Sequence, residues 1–421
     1  MQADTGETRC RYDPRCDRSA IAISDKAVSV HVTATGTVRI MESKLSSKAL
    51  AELTTAAQTL TNPEVEKWRD QGGRVVGYFC SSFPEEVVTA AGMLPFRIRA
   101  TGSRSTELSD SYLSSINCSF PRHAFNVALS GGYGFLDGLA MLNSCDNIRR
   151  IYDHWKRQVD TRFVHIMSLP RKAEPAQVSW FRDELTNFRG LLEQHYGVDI
   201  TDERLREAVK LHNEARSLLR RLYELRKADH PPISGAESLA VTVASTAMPK
   251  KRFVELLRGL LGDLDSAEGI KDYRARLMVV GGILDDPEYV KVIEDQGGIV
   301  VTDSLCFGSR LFWKDVDEHA DDPLEALARY YVAERPSCPR VFGEYENRIN
   351  YIWKMMEEFK VDGVILERLA FCDLWGFEQY SISNDFKDSG KPLLMLDREY
   401  TLSGVGQLRT RVQAFLETIA R

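Results

Sequence analysis

Four times along this chain of 421 residues, a short apolar segment typical of a buried strand is followed by a cysteine. The segments are residues 74–79, 135–142, 298–301 and 362–366, and the cysteines are Cys80, Cys145, Cys306 and Cys372. Two further strands are predicted over residues 277–283 and 392–396. Helical sequence separates the segments, and strands that alternate with helices form parallel sheets covered on both faces. The pattern predicts an α/β fold, with the four cysteines beyond the carboxyl ends of strands, where such sheets bind ligands.

The spacing of these segments also predicts the domain organisation. We expect a first α/β domain over residues 46–165, a helical segment over 166–264 and a second α/β domain over 265–421. Within the helical segment, apolar residues recur at helical spacing over residues 201–227. Residues 1–45 differ in character, and we interpret them as an N-terminal appendage that contains a short hairpin.

Charge and hydropathy exclude several classes of partner. The formal net charge is −6, from 55 Lys+Arg against 61 Asp+Glu, so we expect no binding of nucleic acid. No apolar stretch approaches the ~20 residues that span a bilayer, so no membrane partner is expected. The first thirty residues lack the apolar core of a secretory signal, which favours a cytoplasmic protein whose eight cysteines are reduced. No GxxxxGK[ST] motif occurs, so this chain is not expected to bind ATP through a phosphate loop.

The cysteines are the residues most able to carry chemistry. Cys80 and Cys145 precede predicted helix N-termini, and Cys118 lies in NCSFPR, which also resembles a helix start. The partial positive charge of a helix N-terminus favours the thiolate, the form that binds metals. The alternative is that each cysteine is a small buried hydrophobe. No CxxC occurs, so any bound metal takes its ligands from distant loops rather than from a zinc ribbon or a ferredoxin-type run.

Other candidates leave two interpretations open. Cys10 and Cys16 form either a metal loop or part of an unstructured tail, and Cys338 is interpreted as a structural loop cysteine. His123 is either a proton donor near Cys118 or a histidine with ordinary structural contacts. Three arginines lie close together in the sequence: Arg97, Arg99 and Arg104. They either bind phosphate or form a solvated face.

Several separated motifs resemble those of the 2-hydroxyacyl-CoA dehydratase and benzoyl-CoA reductase family. The longest is GYFCSSFPEEVVTAAGMLP at residues 77–95. The others are NCS at 117–119, FLDG at 135–138, SCD at 144–146, YDHWK at 152–156, VDGVI at 361–365, FCD at 371–373 and GQLRTRVQAF at 406–415. They occur in the same order as in the family, and the resemblance covers residues 46–421.

The resemblance implies a fold, a cofactor and partners. It implies two flavodoxin-like (Rossmann-like) domains and a [4Fe-4S] cluster held by Cys80, Cys118 and Cys372, which leaves one iron open. Cys145 and Cys306 are not implied as ligands. The resemblance further implies an acyl-CoA substrate, a homologous partner subunit in a heterodimer, and a separate ATP-hydrolysing iron–sulfur activator. A buried cluster with few hydrogen bonds is expected to have a low reduction potential and to be damaged by oxygen.

The same resemblance leaves the reaction open between three interpretations. The Pro-Glu-Glu form of the first motif and the FLDG stretch favour a benzoyl-CoA reductase-type subunit, an oxidoreductase of anaerobic aromatic degradation. The first alternative is a 2-hydroxyacyl-CoA dehydratase, a lyase that eliminates water through a ketyl radical. The second is a subunit of such a complex that relays electrons or has a structural role without catalysing the reaction.

Overall fold

Two parallel sheets of four strands each form the framework of the protein. The computed structural model describes residues 46–419, so the predicted hairpin and both Cys10 and Cys16 lie outside the described residues. The first sheet has the order β2-β1-β3-β4 and consists of β1 (Val75–Tyr78), β2 (Leu94–Arg97), β3 (Gly138–Leu142) and β4 (Phe163–Met167). The second has the order β6-β5-β7-β8 and consists of β5 (Ala275–Gly281), β6 (Gly298–Ser304), β7 (Gly363–Leu369) and β8 (Leu393–Arg398).

Both sheets share one topology, in which the second strand along the chain lies at one edge and the third lies beside the first. All six strand pairs are parallel. This is the flavodoxin-like order, and its switch points lie between β1 and β3 and between β5 and β7. The prediction of an α/β fold with two flavodoxin-like domains is confirmed.

Helices cover the sheets and fill the region between them. The α-helices of residues 46–419 are α1 (Lys48–Gln58), α2 (Pro63–Asp70), α3 (Glu85–Ala90), α4 (Ser119–Leu129), α5 (Asp146–Gln158), α6 (Pro175–Tyr196), α7 (Asp202–Leu225), α8 (Gly235–Ala244), α9 (Lys250–Leu264), α10 (Pro287–Glu294), α11 (Pro323–Arg329), α12 (Tyr345–Glu358), α13 (Asp373–Ser389) and α14 (Val405–Ile419). A π-helical turn, Tyr330–Glu334, follows α11. None of the described helices is long and apolar enough to cross a membrane.

The two strands that the sequence analysis missed, β2 and β4, are both edge strands. The β2 sequence, LPFR, contains Pro95, which cannot donate a ladder hydrogen bond and is tolerated at a sheet edge. The β4 sequence, FVHIM, is only half buried at its centre, including His165. Central strands such as β1 are buried on both faces, so they have the continuous apolar sequence that makes them recognisable.

The helical segment packs against both sheets. One apolar cluster contains Tyr78 of β1, Phe181 of α6 and Leu327 of α11. Another contains Leu257 of α9 and Leu366 of β7. Full burial of each such side chain contributes about 1.5–3 kcal/mol. The described residues all belong to one compact unit, and the domain boundaries at 165 and 265 remain predictions.

Candidate functional site

Six cysteines line a single cavity of about 100 Å³. They are Cys80, Cys118, Cys145, Cys306, Cys338 and Cys372. Residues that follow β1, β3, β5 and β7 all contribute to the wall, so the cavity lies beyond both topological switch points. Because ligands bind at this position in doubly wound sheets, the cavity is the candidate site.

Three of the cysteines lie directly before the first residue of a helix. Cys118, Cys145 and Cys372 are the N-cap residues of α4, α5 and α13. The backbone N–H groups of residues 120, 148 and 375 face the three sulfurs, and each of them favours the thiolate. Residue 371, just before Cys372, has a left-handed backbone with φ 61°, an unusual conformation for phenylalanine. These positions agree with the prediction of helix starts after Cys118 and Cys145.

Cys80 is placed differently from the prediction. The sequence analysis expected a helix to begin directly after it, with a serine as the N-cap. Instead, residues 81–84 form a turn, Pro84 is the N-cap, and α3 begins at Glu85. The turn directs the backbone N–H of Ser82 toward the Cys80 sulfur, with an N–Sγ distance of 3.4 Å. Cys80 therefore has a backbone donor without lying at a helix terminus.

Cys118 and Cys372 are in contact although they belong to different α/β modules. The neighbouring Cys118 side chain, with further help from the Trp375 N–H, lowers the pKa of Cys372. The Cys372 side chain and burial raise the pKa of Cys118 well above its ordinary value. Burial also raises the pKa of Cys145 to about 12 and that of Cys338 to about 11.

Buried arginines hold the loops that carry the thiols. Arg97 donates to the carbonyl oxygens of Phe79 and Cys306, at 3.2 and 2.6 Å. Arg310 donates to the Cys306 sulfur at 3.0 Å. Arg340 donates to the carbonyl oxygen of Ser144 at 3.3 Å. Each of the loops after β1, β3 and β6 is thus fixed by a guanidinium group.

The chemistry of the cavity wall is restricted to sulfur, apolar groups, hydroxyls and guanidinium groups. None of the described residues that line it carries a carboxylate. Aromatic side chains, among them Phe79, Phe120 and Trp375, complete the wall. Within residues 46–419, no group of three His, Cys, Asp or Glu side chains is arranged to hold a metal ion.

Comparison with known proteins identifies the family. Residues 80–419 match the model of the family described as 2-hydroxyglutaryl-CoA dehydratase, D-component. The chain belongs to this dehydratase family. The matched region begins at Cys80 and includes all six cysteines of the cavity.

Relatives within the dehydratase family include subunits of several enzymes. The (R)-phenyllactyl-CoA dehydratase beta subunit of Clostridium sporogenes is 26% identical, over 83% of this chain and 92% of its own length. The beta subunit of (R)-2-hydroxyglutaryl-CoA dehydratase of Acidaminococcus fermentans is 25% identical, over 84% of this chain and 94% of its own. A benzoyl-CoA reductase subunit of Thauera aromatica is 24% identical, over 84% and 93%. These similarities do not favour the reductase over the dehydratases.

The structure places more of the candidate residues in one cavity than the sequence analysis predicted. Cys80, Cys118 and Cys372 share the cavity, and their role as ligands remains a proposal. Cys338, interpreted from sequence as a structural loop cysteine, lines the same cavity. No sequence signal pointed to Cys338, because it lies in a loop between the π-helical turn and α12 and follows no strand.

Two other candidates have structural roles. His123 shares a hydrogen bond of 2.8 Å with Ser103 and does not line the cavity, so it is not placed to donate a proton into it. Arg99 is buried and donates to backbone carbonyls of residues 56, 57 and 59 at the end of α1, so it belongs to neither a phosphate site nor a solvated face.

Proposed function

We propose that the chain is the iron–sulfur subunit of a two-subunit acyl-CoA dehydratase, in which Cys80, Cys118 and Cys372 hold a [4Fe-4S] cluster. The observation that carries the proposal is the convergence of six thiols, from both α/β modules, on one small cavity without carboxylates. Thiolates are the ligands of iron–sulfur clusters, whereas carboxylates suit harder cations. The donor set therefore fits this cofactor.

The surroundings of the three proposed ligands also suit thiolates. Cys118 and Cys372 are helix N-caps, and Cys80 accepts from the Ser82 N–H, so backbone dipoles stabilise negative charge at each sulfur. Three thiolates leave one iron of the cluster without a protein ligand from this set. When bound, the cluster would supply one-electron transfer at low potential.

The size of the cavity favours an electron-transferring role for this subunit. Its volume of about 100 Å³ is well below the ~300–1,000 Å³ of pockets that bury organic ligands. The aromatic side chains of Phe79, Phe120 and Trp375 form part of its wall. We therefore propose that the acyl-CoA is bound mainly by a homologous partner subunit, and that a separate ATP-hydrolysing activator delivers the electron.

Elimination of water from a 2-hydroxyacyl-CoA is our first candidate for the reaction. Two of the relatives described above, 26% and 25% identical to this chain, are beta subunits of 2-hydroxyacyl-CoA dehydratases. The second candidate is reduction of benzoyl-CoA, and it is favoured by the similarity to the Thauera aromatica reductase subunit. Both reactions require a low-potential electron at a thioester, so the cavity serves either.

Iron analysis tests the cofactor. The full chain, purified anaerobically and reconstituted, should contain iron and acid-labile sulfide in the ratio of a [4Fe-4S] cluster. Cys80→Ser should lose most of both, because the serine hydroxyl is a poor ligand for iron. Cys10→Ser and Cys16→Ser are matched controls and should retain the cluster. A wild-type chain without iron, or a Cys80→Ser variant with its full complement, would contradict the proposal.

Activity distinguishes the two reactions. The chain is combined with its partner subunit, an activator of the family, ATP and a strong reductant, and is supplied with (R)-phenyllactyl-CoA or benzoyl-CoA. Formation of the 2,3-unsaturated thioester supports the dehydratase, and formation of a cyclic diene supports the reductase. An iron-containing complex inactive with a panel of both substrate types would overturn both candidate reactions.

A further inference from the structure

We propose that Arg310 and Arg340 supply the positive charge that balances the cofactor and its thiolates, and that they thereby raise its reduction potential. The inference rests on the proposed function. The two arginines would then be positioning residues, which affect electron transfer only through the bound cluster. The group that the cavity accepts would carry a net negative charge.

The two guanidinium groups are removed from water. Arg310 is 2% exposed and Arg340 is 5% exposed. Arg310 donates to the Gly281 carbonyl oxygen at 2.9 Å and to the Cys306 sulfur at 3.0 Å. Arg340 donates to three carbonyl oxygens, those of Ser144, Leu169 and Pro170, at 3.3, 2.8 and 2.6 Å. These bonds hold the guanidinium groups in place, but carbonyl oxygens do not neutralise a full positive charge.

Carboxylates neutralise some of the largely buried arginines of this protein, whereas others, such as Arg97 and Arg335, donate to backbone carbonyls. Arg348 forms an ion pair with Glu378, and Arg398 forms one with Glu367 at 2.7 Å. Within residues 46–419, neither Arg310 nor Arg340 pairs with a carboxylate. Thiols are the acidic groups beside them, because the Cys306 sulfur accepts from Arg310, and Cys80, Cys145 and Cys338 line the same cavity as Arg340.

An uncompensated buried charge destabilises the folded protein. Ionised thiols and an anionic cofactor would remove the penalty for both arginines. The positive charges of Arg310 and Arg340 are therefore balanced only when the cavity contains negative charge.

The same charges affect the electron transfer. Reduction by one electron adds one negative charge to the bound group and changes no bond. A nearby positive charge stabilises the reduced form more than the oxidised form, and the effect is strong in a buried site with a low effective dielectric constant. Arg310 and Arg340 should therefore moderate the low potential expected from burial alone.

Potentiometric titration of the reconstituted full chain tests the inference, with Arg310→Met and Arg340→Met as the main variants. Arg310→Lys and Arg340→Lys keep the charge but lose the forked hydrogen bonds. Arg182→Met removes an exposed arginine, paired with Asp322, as a matched control. At the wild-type midpoint potential, the ratio of reduced to oxidised cluster should fall about tenfold in each Met variant. This corresponds to a potential about 59 mV more negative for a one-electron couple. The Lys variants and Arg182→Met should have midpoint potentials close to that of the wild type.

Iron and sulfide are measured on every variant, which separates charge from folding. If the Met variants lose the cluster while the Lys variants keep it, the charge is required and the inference holds. Met variants that keep the cluster at the wild-type potential would overturn it. Equal loss of iron from Met and Lys variants would also overturn it, because the arginines would then serve only to hold loops. Absence of iron from the wild type overturns the proposed function itself, and this inference with it.

Discussion

The side chains of Cys118 and Cys372 lie together in the cavity, across the boundary between the two α/β modules. Each cysteine caps a different helix, α4 or α13, so the contact depends on how the two modules are joined. One bond that supports this arrangement runs from the Tyr400 N–H to the Ser119 hydroxyl oxygen, at 2.9 Å. The site is therefore a property of the whole described chain rather than of either sheet.

The first prediction concerns this cysteine pair. Cys118→Ser and Cys372→Ser should each lose most of the iron, because both sulfurs are proposed to bind one shared group. The double variant should lose little more than either single variant, since effects within one site are not additive. Iron and sulfide content, with visible absorbance, provide the measurement.

Additive losses in the double variant would indicate two independent sites. Unfolding should be followed by circular dichroism in all three variants, because a fall in iron that accompanies a loss of helix would not report on the ligands.

The second prediction concerns a buried ion pair behind the cavity. Arg216 pairs with Glu86, which also accepts from the Tyr331 hydroxyl at 2.9 Å. Arg216→Met should lower the free energy of unfolding by about 3–5 kcal/mol, because it leaves a buried carboxylate without its partner. Denaturation by urea at neutral pH provides the measurement.

The matched control is Arg182→Met, which removes an exposed ion pair with Asp322 at 2.9 Å. It should change the free energy of unfolding by about 0–1 kcal/mol. Similar losses in the two variants would show that burial does not determine the strength of these pairs.

The third prediction is an acid sensitivity that originates at His212. Burial, together with the charges of Lys250 and Arg216, lowers the pKa of His212 well below its ordinary value of 6.5. Glu85 and Glu86 lie 3.9 Å away, but Lys250 and Arg216 already neutralise them. Below pH 6.5 the unfolded chain therefore binds a proton that the folded chain excludes. Stability contributed by the neutral imidazole is present above pH 6.5 and declines as the pH falls below it.

Urea denaturation at pH 7.5, 6.5 and 5.5 measures this effect in the wild type and in His212→Gln. The glutamine can keep the hydrogen bond that Thr89 shares with the His212 ring at 2.9 Å. The wild type should lose more stability than the variant on acidification. Parallel curves for the two proteins would assign the acid sensitivity to other groups.

The fourth prediction concerns close packing at the end of β5. A Cβ atom at Gly281 would meet both the carboxylate and the backbone oxygen of Glu367 on the neighbouring strand β7. Gly281→Ala should therefore destabilise the protein by about 1–3 kcal/mol, through overpacking that the strand pair cannot relieve. Thermal or urea denaturation provides the measurement.

Gly262→Ala is the control, because its added methyl group meets nothing within 4 Å in α9. It should stabilise the protein by about 0.5–1 kcal/mol through better helix propensity. A Gly281→Ala variant as stable as Gly262→Ala would contradict the close approach of β5 and β7.

The amino-acid sequence by itself determined the fold class and the strand ends that carry Cys80, Cys145, Cys306 and Cys372. Buried central strands have continuous apolar sequence, and the helices between them have their own period, so both can be recognised locally. The edge strands β2 and β4 escaped because β2 is short and contains Pro95, and because β4 is only half buried at its centre. The cap of α3 was misplaced because several residues of the SSFPEE segment are compatible with a helix start.

Only the tertiary structure decided which of these residues meet. It brought Cys338 to the cavity from a loop that follows no strand, and it placed Arg310 and Arg340 beside the thiols. The contact between Cys118 and Cys372 likewise joins segments far apart in the chain. Local periodicity reports which face of an element is buried, but not which distant element covers that face. Packing of the two modules fixes those partners, and with them the charge and the shape of the site.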